Sequence, residues 1–159
     1  MNMLVDGEWR RDAYESTNEE GEFDRGETSF RNWLDGGVPA AGEGPRSSEF
    51  APEPGRYHLY ICRACPWAHR AAMTRQLRGL QDEISISLVQ PERYDEGWEF
   101  SEAQPDPLGD RDYLREVYTD ADPEFTGRVT VPVLWDKQEE TIVNNESSEI
   151  MRMLDTAFD

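Results

Sequence analysis

All of the cysteine and histidine in this chain falls within twelve residues: His58, Cys62, Cys65 and His69. Thiols and imidazoles this close together admit three kinds of chemistry. The first is nucleophilic attack by a single thiol. Cys65 precedes Pro66 at a strand-to-helix turn, where free backbone N–H groups and the helix dipole favour a thiolate. Charge agrees with this placement: residues 56–89 hold five Arg against Asp82 and Glu83, a local net of +3 in a chain of net charge −18. The second is dithiol exchange, since Cys62-Arg63-Ala64-Cys65 has the spacing of redox-active pairs. The third is a metal site, because H-x3-C-x2-C-x3-H offers four ligands of suitable type. However, His58 and Cys62 sit on an expected strand, and structural zinc sites more often draw on two separated knuckles, so no metal is expected. Taken singly, each histidine reads as a packed or surface residue.

These residues need elements to hold them. YHLYIC at 57–62 is β-rich, Pro66 suits the first position of a helix, and Met73, Leu77 and Leu80 follow at i, i+4 and i+7, with Gly79 where a helix would close. ISISLV at 84–89 reads as a second strand, completing a βαβ unit whose strands should pair in parallel. Residues 90–128 form a long acidic loop broken by Pro105, Pro107 and Pro123, with DYLREVYTD as a short helix. VTVPVLWD and TIV at 141–143 read as hairpin partners across an Asp136–Glu140 turn, with a cis peptide expected at Val131-Pro132. ESSEIMRMLDTAF places Ile150, Leu154 and Phe158 on one helical stripe, with Asn144 or Asn145 as cap. The order β-α-β, loop, β-β-α is that of a thioredoxin-like α/β domain spanning 56–159. It follows an acidic, mostly irregular arm at 1–55, in which Phe23, Phe30, Trp33 and Leu34 should pin the arm down.

Composition limits the partners. Against 34 acidic residues stand 16 basic ones, 15 of them Arg and one, Lys137, a lysine. Nucleic acid and anionic membrane surfaces require clustered positive charge and are therefore not expected partners. The acidity and the Arg-for-Lys skew read as adaptation to molar salt. No stretch approaches the roughly 20 apolar residues of a membrane span, and MNMLVDGEWRRD lacks the apolar run of a secretory signal, so a cytoplasmic location is expected. Two cysteines are too few for a disulfide-built scaffold.

Four blocks, GRYHLYICRACPWAHRAAMTRQLRGL, GWEF, GRVTVPVLWD and IVNNESSEIMRML, together resemble the N-terminal, thioredoxin-like half of the glutathionyl-hydroquinone reductases, the Xi class of glutathione transferases. The likeness runs from about Phe30 to Phe158. It implies that Cys65, followed by Pro-Trp-Ala-His-Arg, attacks the sulfur of a glutathionyl-hydroquinone, forms a mixed disulfide and releases the hydroquinone. A second thiol molecule would then resolve that disulfide. Cys62 stands where the family is expected to have serine, which makes it a possible resolving thiol.

The same resemblance implies a thiol-peptide site. Val131, before the cis-proline Pro132, would offer its backbone to the cysteinyl part of glutathione or γ-glutamylcysteine. Glu146 and Ser147 would hold the γ-glutamyl end, and Trp98 and Arg128 would line the site from the long loop. The expected partners are accordingly a small-molecule thiol and a quinone conjugate. Members of the family continue into an all-helical C-terminal domain. The expectation is therefore that this chain exposes apolar helix faces and either self-associates or binds a separate helical half.

Overall fold

The computed structural model describes residues 2–12, 29–39, 49–92 and 95–158. The chain begins with a hairpin of β1 (Met3–Val5) and β2 (Glu8–Arg10), closed by Asp6 and Gly7 at φ 50° and 82°. Asp-Gly between short strands is the sequence of a tight two-residue turn. The signal was therefore present in a segment otherwise read as irregular. Gly7 is required twice over: its φ is left-handed, and a Cβ there would stand 1.8 Å from the Pro123 carbonyl oxygen. Leu4 exchanges both backbone hydrogen bonds with Gly127, at 3.0 Å each, which docks the hairpin on the end of the long loop.

A four-stranded sheet follows, of order β4-β3-β5-β6. It is built from β3 (Tyr57–Ile61), β4 (Ile84–Leu88), β5 (Val133–Asp136) and β6 (Thr141–Asn144), with α1 (Pro66–Leu77) joining β3 to β4 and α3 (Ser147–Thr156) after β6. The long loop carries α2 (Leu114–Ala121). β3 pairs in parallel with β4 and antiparallel with β5, and β5 pairs antiparallel with β6. This is the thioredoxin-like arrangement expected from the order of elements. The Val131–Pro132 peptide is cis, as expected. Every residue of β3 is buried, as a strand with neighbours on both sides and covered faces must be.

Two sequence expectations need correcting. Met73 and Leu77 lie on the outer face of α1, 46% and 79% exposed, and of that trio only Leu80 is buried. The inward face is made instead by Ala68 and Ala71, both 0% exposed, whose small side chains let α1 lie close against the sheet and α3. The cap of α3 is Glu146, whose carboxylate accepts from the Ser148 amide at 3.3 Å. Asn144 acts one step earlier, its Oδ1 accepting from the Glu146 amide at 2.7 Å.

Of the arm, Phe30, Trp33 and Leu34 pack against the core, Trp33 and Leu34 being fully buried. Phe23 lies outside the described residues. The segment around Arg31 runs beside β6: the Asn32 amide donates to the Val143 carbonyl, and Asn144 Nδ2 returns a bond to the Asn32 carbonyl, each at 3.0 Å. Arg31 also pairs with Glu149 of α3. The long loop is fastened by Asp106, a buried carboxylate that accepts from the Tyr60 hydroxyl at 2.9 Å and from Arg111 at 2.7 Å. Burial opposes its charge, but these donors and the Leu108 amide hold its carboxyl below the usual range.

His58 lies in β3 with both ring nitrogens bonded to serines of β4, Nδ1 to Ser85 at 2.6 Å and Nε2 to Ser87 at 2.7 Å. Burial lowers its pKa from 6.5 to about 4. Between those values the unfolded chain takes up a proton that the folded chain refuses. The contribution of His58 is therefore whole above pH 6.5 and lost as pH falls to about 4, up to about 3 kcal/mol. Urea titrations at pH 4.5 and 7.5 should show a stability difference that is smaller in His58→Gln by about that amount. Equal pH dependence in both proteins refutes the assignment.

Candidate functional site

The sheet brings three turns to one end. β3 ends at Ile61 and leads into Cys62; β5, antiparallel to it, begins at that end with Val133 opposite Tyr60. β6, antiparallel to β5, ends there with Asn144 opposite Leu134 and leads into the start of α3. The cysteine turn, the cis-proline turn and the α3 N-terminus are therefore neighbours by topology.

Cys65 is the N-cap of α1, in extended conformation, with its carbonyl accepting from the His69 amide at 3.0 Å. It is partly buried, and its Sγ is 3.9 Å from the Val131 carbonyl oxygen. The turn is held by the Cys65 amide donating to the Cys62 carbonyl at 3.2 Å. Cys62 itself is fully buried, and its thiol is directed to the Gln90 carbonyl at 3.6 Å. Both thiols are free, and they engage different carbonyls on different segments.

The four residues of the H-x3-C-x2-C-x3-H pattern do not assemble around a common point. His58 is committed to its two serines and His69 is exposed on α1. Among the described residues there is no group of three or more His, Cys, Asp and Glu side chains placed to hold a metal ion.

Glu146 and Ser147 stand at the α3 N-terminus and are joined to α1 by Arg70. Arg70 Nε and Nη2 both donate to Ser147 Oγ, at 2.9 and 2.7 Å, and Nη2 lies 3.9 Å from Glu146 Oε1. The same guanidinium stacks over the Trp67 ring at 5.0 Å. In the sequence Arg70 stands out only as one of the five Arg of the basic segment and as the last residue of the Pro-Trp-Ala-His-Arg run, with no partner assigned. The overlooked signal was its spacing: three residues after Trp67 puts both side chains on one helical face.

Trp98 is buried in the core of the long loop, and its carbonyl accepts from the Leu114 amide at 2.9 Å. Arg128 is half-buried ahead of the cis-proline turn, close enough for its charge to act on the Tyr118 hydroxyl. Val131 is the residue that the structure brings to Cys65; Glu146 and Ser147 are those it brings to Arg70.

A family profile described as "Glutathione S-transferase, N-terminal domain" matches residues 64–157. The chain belongs to the glutathione S-transferase family. Its relatives within that family include the glutathionyl-hydroquinone reductase PcpF of Sphingobium chlorophenolicum, 48% identical over 162 residues that cover 100% of this chain and 48% of the relative. A solved Xi-class glutathione transferase from Natrialba magadii superposes with a TM-score of 0.82 at 54% identity, covering 100% of this chain and 46% of that one. The glutathione-bound structure of YqjG from Escherichia coli K-12 superposes at 0.80 with 43% identity, covering 99% and 46%. The chain spans about half the length of the curated relatives it matches.

The unequal burial of the two thiols has a direct consequence for this member of the glutathione S-transferase family. Iodoacetamide on the folded chain should label Cys65 and spare Cys62, whose modification must wait for opening of the structure and should be at least ~100-fold slower. Peptide mass spectrometry reads both rates. Comparable labelling of the two cysteines contradicts the arrangement.

Proposed function

We propose that this chain is the thiol-binding, nucleophilic half of a reductase acting on glutathionyl-hydroquinones or related thiol–quinone conjugates. The observation that carries the reading is the thiol of Cys65, at a helix N-terminus and 3.9 Å from the carbonyl that precedes a cis-proline. Cys65 Sγ, as thiolate, attacks the sulfur of the conjugate. An S–S bond forms, the sulfur–ring bond breaks, and its electron pair stays on the ring carbon, which takes a proton to give the hydroquinone. A second thiol molecule then attacks the mixed disulfide, leaves as a symmetrical disulfide and returns Cys65 to its thiolate.

The thiol-peptide is glutathione or γ-glutamylcysteine, which share the γ-glutamyl end. Ser147 Oγ already accepts two N–H groups from Arg70, so its own proton is the group left to donate to a carboxylate. The side chains of Arg70 and Glu146, 33% and 41% exposed, are the charges such an end meets first, one for its carboxylate and one for its ammonium. Trp98 and Arg128 complete the site from the long loop. An external thiol as resolving agent is favoured over Cys62, because the Cys62 thiol is fully buried and directed to Gln90.

Incubation with glutathione disulfide or bis-γ-glutamylcystine should give a mixed adduct on Cys65, seen by intact-mass and peptide mass spectrometry. Cys65→Ser should abolish the adduct and reduce thiol-dependent turnover on a glutathionyl-hydroquinone by about 10³-fold or more, and Cys62→Ser should leave both within about threefold. Loss in both variants would establish the dithiol route instead. No adduct at Cys65 defeats the reading.

We also infer that the chain works in a salt-rich cytoplasm and associates through the outer face of α1, where Trp67, Met73 and Leu77 are exposed. No helix among the described residues is long and apolar enough to cross a membrane. In molar KCl the melting temperature should exceed that in dilute buffer, and light scattering should report self-association that Met73→Glu with Leu77→Glu removes. A monomer at all concentrations refutes the association.

A further inference from the structure

The hydroxyl of Tyr118 is a junction between the two halves of the site. Tyr118 is 0% exposed on α2, in the long loop rather than in the thioredoxin-like elements. Its hydroxyl donates to the Thr130 carbonyl at 2.8 Å and accepts from the Thr130 amide at 3.1 Å and from Asn145 Nδ2 at 2.9 Å. Thr130 is the residue before Val131; Asn145 is the residue before Glu146. A phenol has one proton and two lone pairs, so these contacts use its full capacity. The ring is fixed by Phe30 at 5.7 Å, edge-on, and by Phe125 at 5.2 Å.

Asn145 strengthens the case. Its side-chain oxygen is buried with no hydrogen-bond partner among the described residues. Retaining a buried amide with half of it unsatisfied is costly, and the Tyr118 hydroxyl is the partner its other half has. Burial also raises the pKa of the phenol, which keeps it a proton donor to Thr130.

We propose that Tyr118 is a positioning residue that sets the span between the Val131 carbonyl facing Cys65 and the α3 N-terminus carrying Glu146 and Ser147. A bound thiol-peptide, which needs its cysteinyl part at one end of that span and its γ-glutamyl part at the other, then meets a site already of the right length. This rests on the thiol-peptide reading given above. The loop is thereby more than an insertion packed on the domain: one of its atoms gauges the ligand site without touching the ligand.

The test uses the full chain, glutathione as probe, and the variants Tyr118→Phe, Asn145→Ala and their combination, each at least 15 °C below its own melting temperature. The expected result is a Kd for glutathione raised about tenfold in each single variant, with the double variant no weaker than either, because both act through one contact. The rate of Cys65 alkylation should stay within about twofold in all three. Unchanged Kd in both single variants, with only the melting temperature lowered, overturns the proposal as a merely structural contact. If Tyr118→Phe fails to fold, Asn145→Ala alone carries the comparison.

Amide exchange without ligand decides the geometry separately. Faster exchange at Thr130 together with Glu146 and Ser147 supports the junction, and acceleration confined to α2 overturns it. If the unsubstituted chain takes up no glutathione while the variants show the coupled acceleration, the reading of the site is overturned and the junction is supported.

Discussion

β3 is hydrogen-bonded on both sides, in parallel to β4 and antiparallel to β5, and this double pairing decides where chemistry can occur. Because β5 runs against β3, the residues entering β5 lie beside those leaving β3. That is why Val131, some 66 positions from Cys65 in sequence, presents its carbonyl to that thiol. Because β6 runs against β5, the same end also receives the start of α3. The strand is buried throughout, so neither its register nor its direction can shift without exposing apolar side chains or stranding His58 away from Ser85 and Ser87. The geometry around Cys65 and the start of α3 is thus inherited from the centre of the sheet outward.

Local pattern made a large part of this legible. The β-rich run ending at Cys62, the proline opening α1, the second strand and the short helix in the long loop each follow from residues adjacent in sequence, and all four are found. Proline inside an otherwise apolar strand pointed to the cis Val131–Pro132 peptide for a similarly local reason. What escaped depended on partners far away. Met73 and Leu77 have the spacing of a buried stripe, yet the side of α1 that meets α3 and the sheet is chosen by close approach, which alanines permit and larger residues do not. The role of Tyr118 rests on Thr130 and Asn145, 12 and 27 positions along the chain, and no periodicity within DYLREVYTD encodes them.

The long loop adds buried apolar residues such as Phe100, Leu114, Val117 and Phe125 to the core, and polar contacts fasten it. Asp106, Arg111 and Asp120 form a chain of charges that begins at the Tyr60 hydroxyl in the sheet and ends on α2, with the Arg111 guanidinium stacked over Trp135 at 5.3 Å. Arg56 and Asp136 make a second buried pair at the other end of β3 and, unlike Arg111 with Asp106, a two-pronged one, at 2.9 and 2.7 Å. In an acidic chain these buried carboxylates are those whose charge is met by a guanidinium, which at Asp136 grips both oxygens in a way a point-like ammonium cannot.

The join between α1 and α3 has an implication for ionic strength. In 1 M salt the screening length contracts to about 3 Å. Exposed pairs such as Arg78 with Asp155, at 3.5 Å, then contribute almost nothing. The Arg70 contact with Ser147, at 2.7 and 2.9 Å, links a guanidinium to a neutral hydroxyl, so little of its strength comes from attraction between opposite charges. The thiol-bearing helix and the helix opposite it therefore stay registered across a range of salt over which the surface charges of the same molecule are electrically silent.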